Sequence, residues 1–368
     1  MNSDTDVFVI GGGPAGLAAA LAARRRGLRV IVADGRRPPI DKACGEGLMP
    51  DSLAAADRIG IGLPDGEGFR FRGIRFHGDN HSIAADFPSG YGIGIRRVAL
   101  HTHMVRLAAA AGVEMLWSTP VSGIDPAGVH AGRRRFSTGW IVGADGFGSR
   151  AGRWAGLDRF VRDSRRFAYR RHFAIQPWTD FMEIYWENGC QIYVTPVSPE
   201  EVCVAFISRS ANVRLAEALP RFPDLHARLS GAPPSSGERG AVTATSRREA
   251  VVRGNVVLVG DASGSADAIT GEGLCQAFQQ AEALAEAFVR RDLSYYAARH
   301  RRIAFRPALM ADLMLTLVRW PGIRRRAFQA MDRRPQCFAS MLAAHVGSRP
   351  AMHLAGAGLS LGWQMICG

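Results

Sequence analysis

The sequence is poor in the features that mark secreted and metal-binding proteins. It contains six cysteines among 368 residues, and none belongs to a C-x-x-C pair or to a metal-ligand spacing. Isolated cysteines of this kind are typical of reduced thiols inside the cell. The sequence therefore predicts neither a disulfide framework nor a metal site.

Long apolar runs and a leader-type N-terminus are also lacking. No uninterrupted apolar stretch approaches the roughly 18 residues that a membrane-spanning helix needs. The first apolar run begins within a few residues of Met1, which leaves no room for the regions of a signal peptide. We therefore expect a cytoplasmic protein.

Acidic residues are fewer than basic ones, and the formal net charge is +13. Arginine clusters lie at 24–26, 133–135 and 324–326, so a nucleic-acid partner has to be considered. No recognisable nucleic-acid-binding motif accompanies this charge. We therefore expect no nucleic-acid partner, because solvated helix faces, an anionic cofactor or an anionic membrane surface explain the arginines more simply.

A glycine-rich turn near the N-terminus is the strongest pattern present. An apolar run at 7–10 predicts a strand, and an alanine-rich run predicts the helix that follows the turn. In G-x-G-x-x-G spacing, the first glycine permits the turn, the second lets a pyrophosphate approach the backbone, and the third lets the helix pack closely on the strand. We assign cofactor binding to Gly11, Gly13, Pro14, Ala15 and Gly16.

An acidic residue follows the turn at the spacing of a dinucleotide-binding fold. A second apolar run at 28–33 ends at Asp34 and Gly35. The Asp34 carboxylate can accept hydrogen bonds from both hydroxyls of an adenosine ribose, and it stands about 20 residues beyond the turn, as this motif requires. Ordinary strand-to-helix turns can also be glycine-rich, but here the strand, the helix and the acid are all present. The pattern predicts a dinucleotide site without distinguishing NAD from FAD.

The rest of the chain alternates between two kinds of sheet. Alternating segments within 69–95 and 166–208 predict antiparallel strands. A parallel sheet is predicted from a helix at 98–111 and strands at 113–117, 140–142 and 255–259.

Loops and helices account for the remaining residues. Prolines and glycines predict loops at 35–53 and 231–240. Helices are predicted at 215–229 and 274–290, followed by helical segments broken at Pro307, Pro321 and Pro335.

Four motifs stand in a fixed order: GGGPAG at 11–16, RRVALHTHMVRL at 96–107, GADGFGSR at 143–150 and GDASGSADAITGEG at 260–273. Together they resemble the FAD-binding superfamily of p-hydroxybenzoate-hydroxylase-type monooxygenases, geranylgeranyl reductases and flavin-dependent halogenases, over residues 1 to about 295. The resemblance implies an α/β fold with a discontinuous, Rossmann-like FAD-binding domain, an inserted and mainly antiparallel β-sheet substrate domain, and a helical C-terminal region. It also implies non-covalent FAD.

The resemblance implies domain boundaries as well. The FAD-binding domain would comprise 1–68, 96–160 and 249–295, and the substrate domain 69–95 and 161–248. The C-terminal helical region would comprise 296–368.

Two charged residues are assigned to FAD by this resemblance. Asp261, next to Gly260, matches the acid that binds the ribityl chain, and its alternative role is to cap a helix. Arg97 matches the arginine near the ribityl and pyrophosphate groups, with Arg96 as the less favoured candidate. Either arginine could instead be solvated.

Two loops are also assigned to the cofactor. Asp145 and Gly146 match a second dinucleotide motif, with Arg150 close behind, although a strand-to-loop turn needs Asp-Gly in any case. At 270–273, Gly271, Glu272 and Gly273 resemble the loop whose backbone N–H groups face the pyrimidine end of the flavin, where reduced flavin is negatively charged. A proline common in the superfamily is Ala268 here, which predicts a less rigid backbone.

The loop at 41–49 resembles the Lys-x-Cys-Gly segment of geranylgeranyl-reductase-like proteins. We assign catalytic roles to Cys44 and Glu46, the alternative for Cys44 being a small buried side chain. In the strand at 191–196, Tyr193 is assigned to the substrate. The tryptophan and phenylalanine of the prenyl reductases' Tyr-x-Trp-x-Phe-Pro strand are missing there, which argues against a long prenyl substrate.

These resemblances leave three classes of function. We favour an NAD(P)H- and O₂-using monooxygenase of an aromatic or polyketide-like apolar compound over an ene-reductase of prenyl or lipid chains. A non-enzymatic flavoprotein is the third class. The G-W-x-W-x-I-P motif of halogenases is absent, which argues against halogenation.

The segment 299–320 combines an apolar face with arginines. Basic amphipathic segments can lie on an anionic membrane surface, so peripheral contact with the inner face of the membrane is one interpretation. The alternative is that the segment packs over the substrate domain. Its apolar residues are Ile303, Phe305, Leu309, Met310, Leu313, Leu315, Leu317 and Val318.

Overall fold

A computed structural model of the chain describes residues 3–64 and 66–348. Cys367, one of the six cysteines, lies outside the described residues. The strands are β1 (Thr5–Ile10), β2 (Val30–Asp34), β3 (Gly47–Leu48), β4 (Phe69–Phe71), β5 (Gly73–Gly78), β6 (His81–Asp86), β7 (Gly92–Gly94), β8 (Glu114–Trp117), β9 (Val121–Asp125), β10 (Gly128–Ala131), β11 (Arg134–Phe136), β12 (Thr138–Gly143), β13 (Phe160–Ala174), β14 (Phe181–Glu187), β15 (Cys190–Ser198), β16 (Glu201–Ser208), β17 (Arg239–Arg248), β18 (Val252–Arg253), β19 (Val256–Leu258) and β20 (Gly264–Ser265). The helices are α1 (Pro14–Arg24), α2 (Pro50–Arg58), α3 (Arg97–Ala110), α4 (Arg150–Trp154), α5 (Leu215–Ala218), α6 (Pro223–Leu229), α7 (Gly273–Arg290), α8 (Leu293–Arg319), α9 (Pro321–Arg333) and α10 (Pro335–His345).

A six-stranded sheet has β1 near its centre, in the order β18-β19-β12-β1-β2-β8. Its strands are parallel except for β18, which pairs antiparallel with β19. Val7, Phe8 and Val9 are fully buried because both faces of this sheet are covered, and Phe8 packs against Phe136 of β11. The carboxyl ends of β1, β2 and β19 therefore bring together the loops that follow them, as in other dinucleotide-binding folds.

A larger, mainly antiparallel sheet has eight strands in the order β20-β17-β13-β16-β15-β14-β5-β6. Its one parallel pairing joins β14 to β5. One face packs against α8, α9 and α10 through an aromatic cluster of Phe76, Trp186, Phe328 and Phe338. The C-terminal helices thus cover the second sheet, and the predicted fold class is confirmed.

Two small sheets complete the fold. One has the order β3-β7-β4, and its strand β3 comes from the proline- and glycine-rich loop at 35–53. The other has the order β11-β10-β9 and was not predicted. Its strands are only three to five residues long and joined by tight turns, so they show too few alternating positions to reveal a pattern.

The predicted continuous helix at 215–229 is wrong. The chain instead forms α5, a short 3₁₀ turn and α6. Pro220 and Pro223 lie within the predicted segment, and each lacks the N–H that would continue the helix. Pro223 is tolerated because it begins α6, where its missing N–H has no helical acceptor.

The predicted break at Pro307 is also wrong, because α8 continues through it. A proline in a helix interior costs roughly 3 kcal/mol. Burial of each large apolar side chain returns about 1.5–3 kcal/mol, and the same helix buries Met310, Met314, Leu317 and Val318. Packing therefore outweighs the missing hydrogen bond. The predicted breaks at Pro321 and Pro335 are correct, since these prolines begin α9 and α10.

Within residues 3–64 and 66–348, every helix is too short or too polar to cross a bilayer.

Candidate functional site

The glycine turn has the geometry that its sequence predicts. Gly11 has φ +108°, a conformation that favours glycine. A Cβ on Gly16 would lie 1.9 Å from the carbonyl oxygen of Gly11, so the helix approaches the turn as closely as the motif requires. Around Gly13, by contrast, no described atom lies within 4 Å of the place where a Cβ would stand. The turn therefore presents an open backbone at the position assigned to the pyrophosphate.

The start of α1 is free of capping side chains within the described part of the chain. Its N-cap is Gly13, Pro14 occupies the first turn, and no acidic residue lies there. The uncapped start of the helix therefore retains N–H groups and partial positive charge for an anion. Asp34 accepts a hydrogen bond from the Gly12 amide at 2.8 Å, which fixes its carboxylate beside the turn.

His101 on α3 braces the same turn, and sequence reasoning missed it. Its Nε2 lies 2.8 Å from the carbonyl oxygen of Gly12, and its Nδ1 accepts a hydrogen bond from the Ile40 amide. Burial lowers the pKa of His101, so the ring is neutral. A neutral ring with a proton on Nε2 satisfies both contacts and ties the turn to the loop at 35–53.

Asp261 lies where β19 ends, and its carboxylate meets Lys42. The Lys42 Nζ atom is 2.8 Å from Asp261 Oδ2. Burial opposes ionisation of Asp261, but the charge and hydrogen bond of Lys42 outweigh burial and lower the pKa of the carboxyl group. Lys42 is the only lysine in the chain, and sequence reasoning gave it no role. Neighbouring Gly260 has φ +58°, and its Cβ would lie 2.5 Å from Ala15, so the first and last motifs are in contact.

Arg96 and Arg97 differ in their hydrogen-bond partners. Arg96 forms a bidentate ion pair with Glu201, with both N···O distances at 2.6 Å. Arg97 begins α3, and its buried Nε has no hydrogen-bond partner within the described chain. A buried guanidinium nitrogen without a partner fits an anionic or polar group that is bound there. Arg97 is therefore the arginine that remains available to a cofactor.

The acceptors of Asp145 are used within the chain. Its carboxylate accepts hydrogen bonds from the Ser149 hydroxyl at 2.5 Å and from the Arg150 and Ala151 amides. These contacts organise the first turn of α4. Gly146 has φ +79° with open space around it. A cofactor role for Asp145 stays a prediction.

The loop at 270–273 leads directly into α7. Gly271 is left-handed at φ +69° with open space around it, and α7 begins at Gly273 without a side-chain cap in the described structure. Ala268 replaces the common proline, but Asp267 constrains this backbone in another way. Its carboxylate accepts from the Ile269 amide and from Arg166, each within 3.0 Å.

Glu46 is buried and joined to three parts of the fold. It has φ +59°, and its carboxylate accepts from the Arg97 amide at 3.0 Å and from His172 Nε2 at 2.6 Å. The loop glutamate thereby caps α3. Cys44 is partly exposed, and its sulfur accepts a hydrogen bond from the Glu46 amide at 3.4 Å. The catalytic roles assigned to Cys44 and Glu46 stay predictions.

Glu46, His172 and Cys203 lie close enough together to hold a metal ion, with ligand atoms within 4.8 Å of one another. Their hydrogen bonds indicate another arrangement. Arg170 can only donate, and it contacts His172 Nδ1 at 3.2 Å, so the ring proton is on Nε2 and points at Glu46. Burial raises the pKa of the Cys203 thiol. The cluster is therefore an ion-pair network, which Arg170 extends to Asp41.

An apolar cavity lies between the larger sheet and the C-terminal helices, with about 720 Å³ of empty space including its open mouth. It reaches from the 35–53 loop to the 270–273 loop, at Met49 and Thr270. Tyr193, assigned to the substrate, lines it, although its hydroxyl donates to the Ile269 carbonyl at 2.8 Å. The lining residues are Met49, Ile74, Phe76, Met182, Ile184, Tyr193, Ile269, Thr270, Met310, Leu313, Met314, Leu317, Met331, Phe338, Met341, Leu342 and His345.

The polar end of this cavity was not predicted. His345, at the end of α10, lies with its Nε2 3.1 Å from the Thr270 carbonyl oxygen. Glu272 is 1 % exposed and pairs with Arg306 at 3.1 Å. Arg306 also pairs with Asp51 at 2.6 Å. No short motif joins these residues, since four different helices or loops supply them.

Comparison with known proteins places this geometry in context. The sequence profile of the FAD binding domain family matches residues 4–291. The menaquinone reductase of Mycobacterium tuberculosis is 28 % identical over 359 residues, covering 87 % of this chain and 86 % of the relative. A digeranylgeranylglycerophospholipid reductase of Thermoplasma volcanium is 30 % identical over 302 residues, covering 74 % of each chain.

Two solved structures illustrate the shared fold. A geranylgeranyl bacteriochlorophyll reductase-like protein of Thermoplasma acidophilum superposes with a TM-score of 0.71, at 22 % identity, over 84 % of this chain and 87 % of its own. The p-nitrophenol 4-monooxygenase of Pseudomonas putida superposes with a TM-score of 0.78, at 19 % identity, over 94 % and 99 %. At these identities the similarity concerns the fold alone.

The residues present fit FAD. The open glycine turn, the uncapped start of α1 and the unpartnered Arg97 Nε are the features that a bound dinucleotide would satisfy. The superfamily predicted from the four motifs is confirmed by the family match. The chain belongs to the FAD binding domain family and is an FAD-dependent oxidoreductase.

Proposed function

We propose that the protein is an FAD-dependent reductase that saturates a carbon–carbon double bond in a prenyl or other lipid chain. The observation that carries the proposal is the lining of the cavity, in which the side chains are apolar except for Tyr193, Thr270 and His345. The Tyr193 hydroxyl is already bonded to a backbone carbonyl. A hydrocarbon chain suits such a lining, since burial of each CH₂ group contributes about 0.8 kcal/mol.

The composition of the cavity lining supports this choice of substrate. Six of the eleven methionines line the cavity. Methionine is unbranched and adaptable, so its side chains can follow a flexible chain better than a rigid aromatic pocket would.

The related sequences support the same reading. Relatives named menaquinone reductase and digeranylgeranylglycerophospholipid reductase match most of this chain. At 191–196, part of the prenyl-reductase strand motif is missing, which taken alone favours a monooxygenase. Other elements, chiefly α8 and α10, supply the apolar surface of the cavity. The missing residues therefore do not argue against a prenyl or lipid substrate.

Named residues would hold the cofactor. The glycine turn and the start of α1 would bind the pyrophosphate, and Asp34 the adenosine ribose. Arg97, together with Asp261 and its partner Lys42, would contact the ribityl region, and the start of α7 would face the pyrimidine end of the flavin. Bound FAD supplies the hydride chemistry in its reduced form, and we propose NAD(P)H as the source of the electrons.

The chain's own residues would control access and orientation. The apolar lining would exclude water and hold the double bond away from bulk solvent. Met49 and Thr270 belong to the loops predicted to border the flavin, so a chain lying in the cavity would pass close to the cofactor. The polar groups at the Thr270 end would fix which end of the substrate enters first.

Anaerobic turnover tests the proposal. The purified protein, loaded with FAD and reduced by dithionite without O₂, is incubated with menaquinone or with a digeranylgeranyl phospholipid. We expect a product whose hydrocarbon chain has gained two hydrogen atoms, located by fragmentation in mass spectrometry, since dithionite alone reduces the quinone ring. Substrate-dependent O₂ consumption in air, with a product that has gained an oxygen atom and no anaerobic reaction, would instead establish the monooxygenase.

A further inference from the structure

Two buried polar atoms lie near the Thr270 end of the cavity without hydrogen-bond partners in the described chain. They are Glu272 Oε2 and His345 Nδ1, separated by 3.7 Å. This separation is too long for a direct hydrogen bond. Buried polar atoms in folded proteins are nearly always satisfied, so two adjacent exceptions indicate a group that binds to both.

The protonation of His345 follows from its other contact. Its Nε2 lies 3.1 Å from the Thr270 carbonyl oxygen, which can only accept, so Nε2 carries a proton. In a neutral ring, Nδ1 would then present a lone pair toward the lone pairs of an ionised Glu272. Neither acceptor would have a donor. A second proton on the ring, or one on the carboxylate, removes this conflict.

The surrounding charges also require that proton. Arg306 on α8 contacts Glu272, and the same guanidinium contacts Asp51 on α2. One buried guanidinium therefore faces two carboxylates, and a single proton balances the cluster. Burial raises the pKa of Glu272, and burial likewise raises that of the neighbouring Cys275 thiol, which stays neutral.

His345 is the polar lining group with a ring nitrogen available. The Thr270 hydroxyl donates to the Asp267 carbonyl at 3.2 Å, and the Tyr193 hydroxyl donates to the Ile269 carbonyl. His345 Nδ1 and Glu272 Oε2 are thus the described polar atoms at this end that are left unsatisfied. A protonated Nδ1 offers a donor, and the carboxylate offers an acceptor.

We propose that Glu272 and His345 share a proton and form a subsite for a hydroxyl oxygen at the end of a long apolar ligand. The oxygen accepts a hydrogen bond from His345 Nδ1, and its own hydrogen is donated to Glu272 Oε2. The subsite gives the cavity a direction, because a chain with one hydroxyl end binds with that end beside Thr270. This inference rests on the proposed function in one respect: the cavity receives the substrate.

A binding experiment without turnover tests the subsite. Geranylgeraniol and its methyl ether have the same apolar chain, but the ether oxygen can only accept. FAD-loaded protein is titrated with each compound, and binding is followed by tryptophan fluorescence. A hydrogen bond to a charged group is worth about tenfold or more in affinity, so we expect the alcohol to bind at least about tenfold more tightly than the ether.

Variants test the two residues separately. In Glu272→Gln, the preference for the alcohol should fall to about twofold or less while the ether retains its affinity, because only the alcohol donates to this carboxylate. In His345→Phe, both compounds should bind more weakly, because both oxygens accept from His345 Nδ1. His300→Gln is the matched control, because His300 is a half-buried histidine that bonds Ser263 away from the cavity lining. Equal binding of alcohol and ether by the wild type would overturn the subsite and leave the reductase proposal standing. Binding of neither compound would count against both.

A second measurement does not depend on a ligand. ¹⁵N NMR of histidine-labelled, ligand-free wild type reports the protons on each ring nitrogen. At neutral pH we expect His345 Nδ1 either to carry a proton or to accept a hydrogen bond from a protonated Glu272. Glu272→Gln should change the ¹⁵N signal of His345 Nδ1 and leave the signals of His300 unchanged. A neutral His345 whose Nδ1 signal does not respond to Glu272→Gln would overturn the shared proton.

Discussion

Asp261 has an ion-pair partner from a distant loop and a fixed place at the end of a buried strand. Lys42 lies 2.8 Å from its carboxylate, so the pair joins the loop at 35–53 to the strand β19. Both side chains are more than a third exposed, so the pair alone adds little to stability. We expect the Asp261–Lys42 pair to matter for the binding of FAD beside it.

Asp261→Asn should therefore weaken FAD binding while the fold persists. Loss of a charge-assisted hydrogen bond costs about 1.5–3 kcal/mol, which corresponds to an affinity roughly tenfold to a hundredfold lower. The measurement is a titration of FAD-depleted protein followed by flavin fluorescence. Asp158→Asn, at an exposed position, is the control. An unchanged affinity in Asp261→Asn would remove Asp261 from the site.

Glu183 shows what a buried carboxylate needs in order to stay ionised. It lies on β14 and contacts His77 and Arg75, and it also accepts hydrogen bonds from Trp178 and Tyr185. Burial alone would raise its pKa, but His77 and the hydrogen-bond donors outweigh burial and lower the pKa of Glu183 to about 2. The network is far from the flavin motifs in sequence and supports the larger sheet.

The shifted pKa predicts acid sensitivity. A carboxyl group whose pKa is lower in the folded state stabilises the fold above its ordinary pKa of 4.5, and this contribution is lost as pH falls toward about 2. Glu183→Gln should flatten the fall of unfolding free energy in that window and lower stability at pH 7 by about 3 kcal/mol. Urea unfolding at several pH values measures both. Glu187→Gln on the same strand is the control, and an equal loss in both variants would contradict the prediction.

At the level of elements, α10 lines the cavity with four side chains, of which Phe338 is the aromatic one. Phe338 lies 4.7 Å from Phe76, measured between ring centroids, and is 3 % exposed. Phe338→Ala should lower the free energy of unfolding by about 3–5 kcal/mol and enlarge the cavity. Gln336→Ala, at an exposed position of the same helix, should have little effect. Thermal unfolding of both variants is the measurement, and similar midpoints would indicate that α10 does not hold the sheet.

Elements with a long local pattern could be predicted, and elements that depend on distant packing could not. The β1-α1-β2 unit was correct because its apolar runs and glycines lie within 30 consecutive residues. The passage of α8 through Pro307 was missed because the burial that outweighs the proline comes from the second sheet. The split between α5 and α6 is readable from Pro220 and Pro223, because each proline lacks the N–H that would continue a helix.

The site shows the same division. The open turn at Gly13 and the availability of Arg97 followed from short motifs. Lys42, His172 and His345 were missed because each acquires its role from partners tens or hundreds of residues away, and a lone lysine or histidine carries no local signal. An alternating charge or apolar pattern cannot report such contacts, since it describes which face is buried and not what lies opposite.

At the level of the whole molecule, several large apolar side chains are exposed near the C-terminal arginines. Phe305 and Leu309 on α8, with Trp320 and Ile323 beyond it, are 38–62 % exposed. Arg319, Arg325 and Arg326 are exposed as well. The opposite face of α8 packs in the core, so the packing interpretation is correct for that face, and membrane contact of the exposed face stays a prediction. We propose that the exposed face contacts an anionic membrane surface.

Co-sedimentation with liposomes containing acidic lipid should therefore succeed at low salt and weaken at high salt, because each basic residue near the surface contributes about 1 kcal/mol. The double variant Phe305→Ser, Trp320→Ser should bind less at both salt concentrations. Val289→Ser, at an exposed apolar position on α7, is the control. If the wild-type protein stays in the supernatant at low salt, the exposed face of α8 does not bind an anionic membrane.

The methionine lining has a further consequence for the working life of the protein. Thioethers are oxidised to sulfoxides by peroxides, and a sulfoxide is polar where the thioether was apolar. Any reduced cofactor that passes electrons to O₂ would release peroxide beside Met49, and the damage would accumulate in the wall of the cavity. In an enzyme with this lining, oxidative inactivation would begin at the methionines of the cavity. Its lifetime then depends on keeping O₂ out of the cavity and on the cell's methionine sulfoxide reductases.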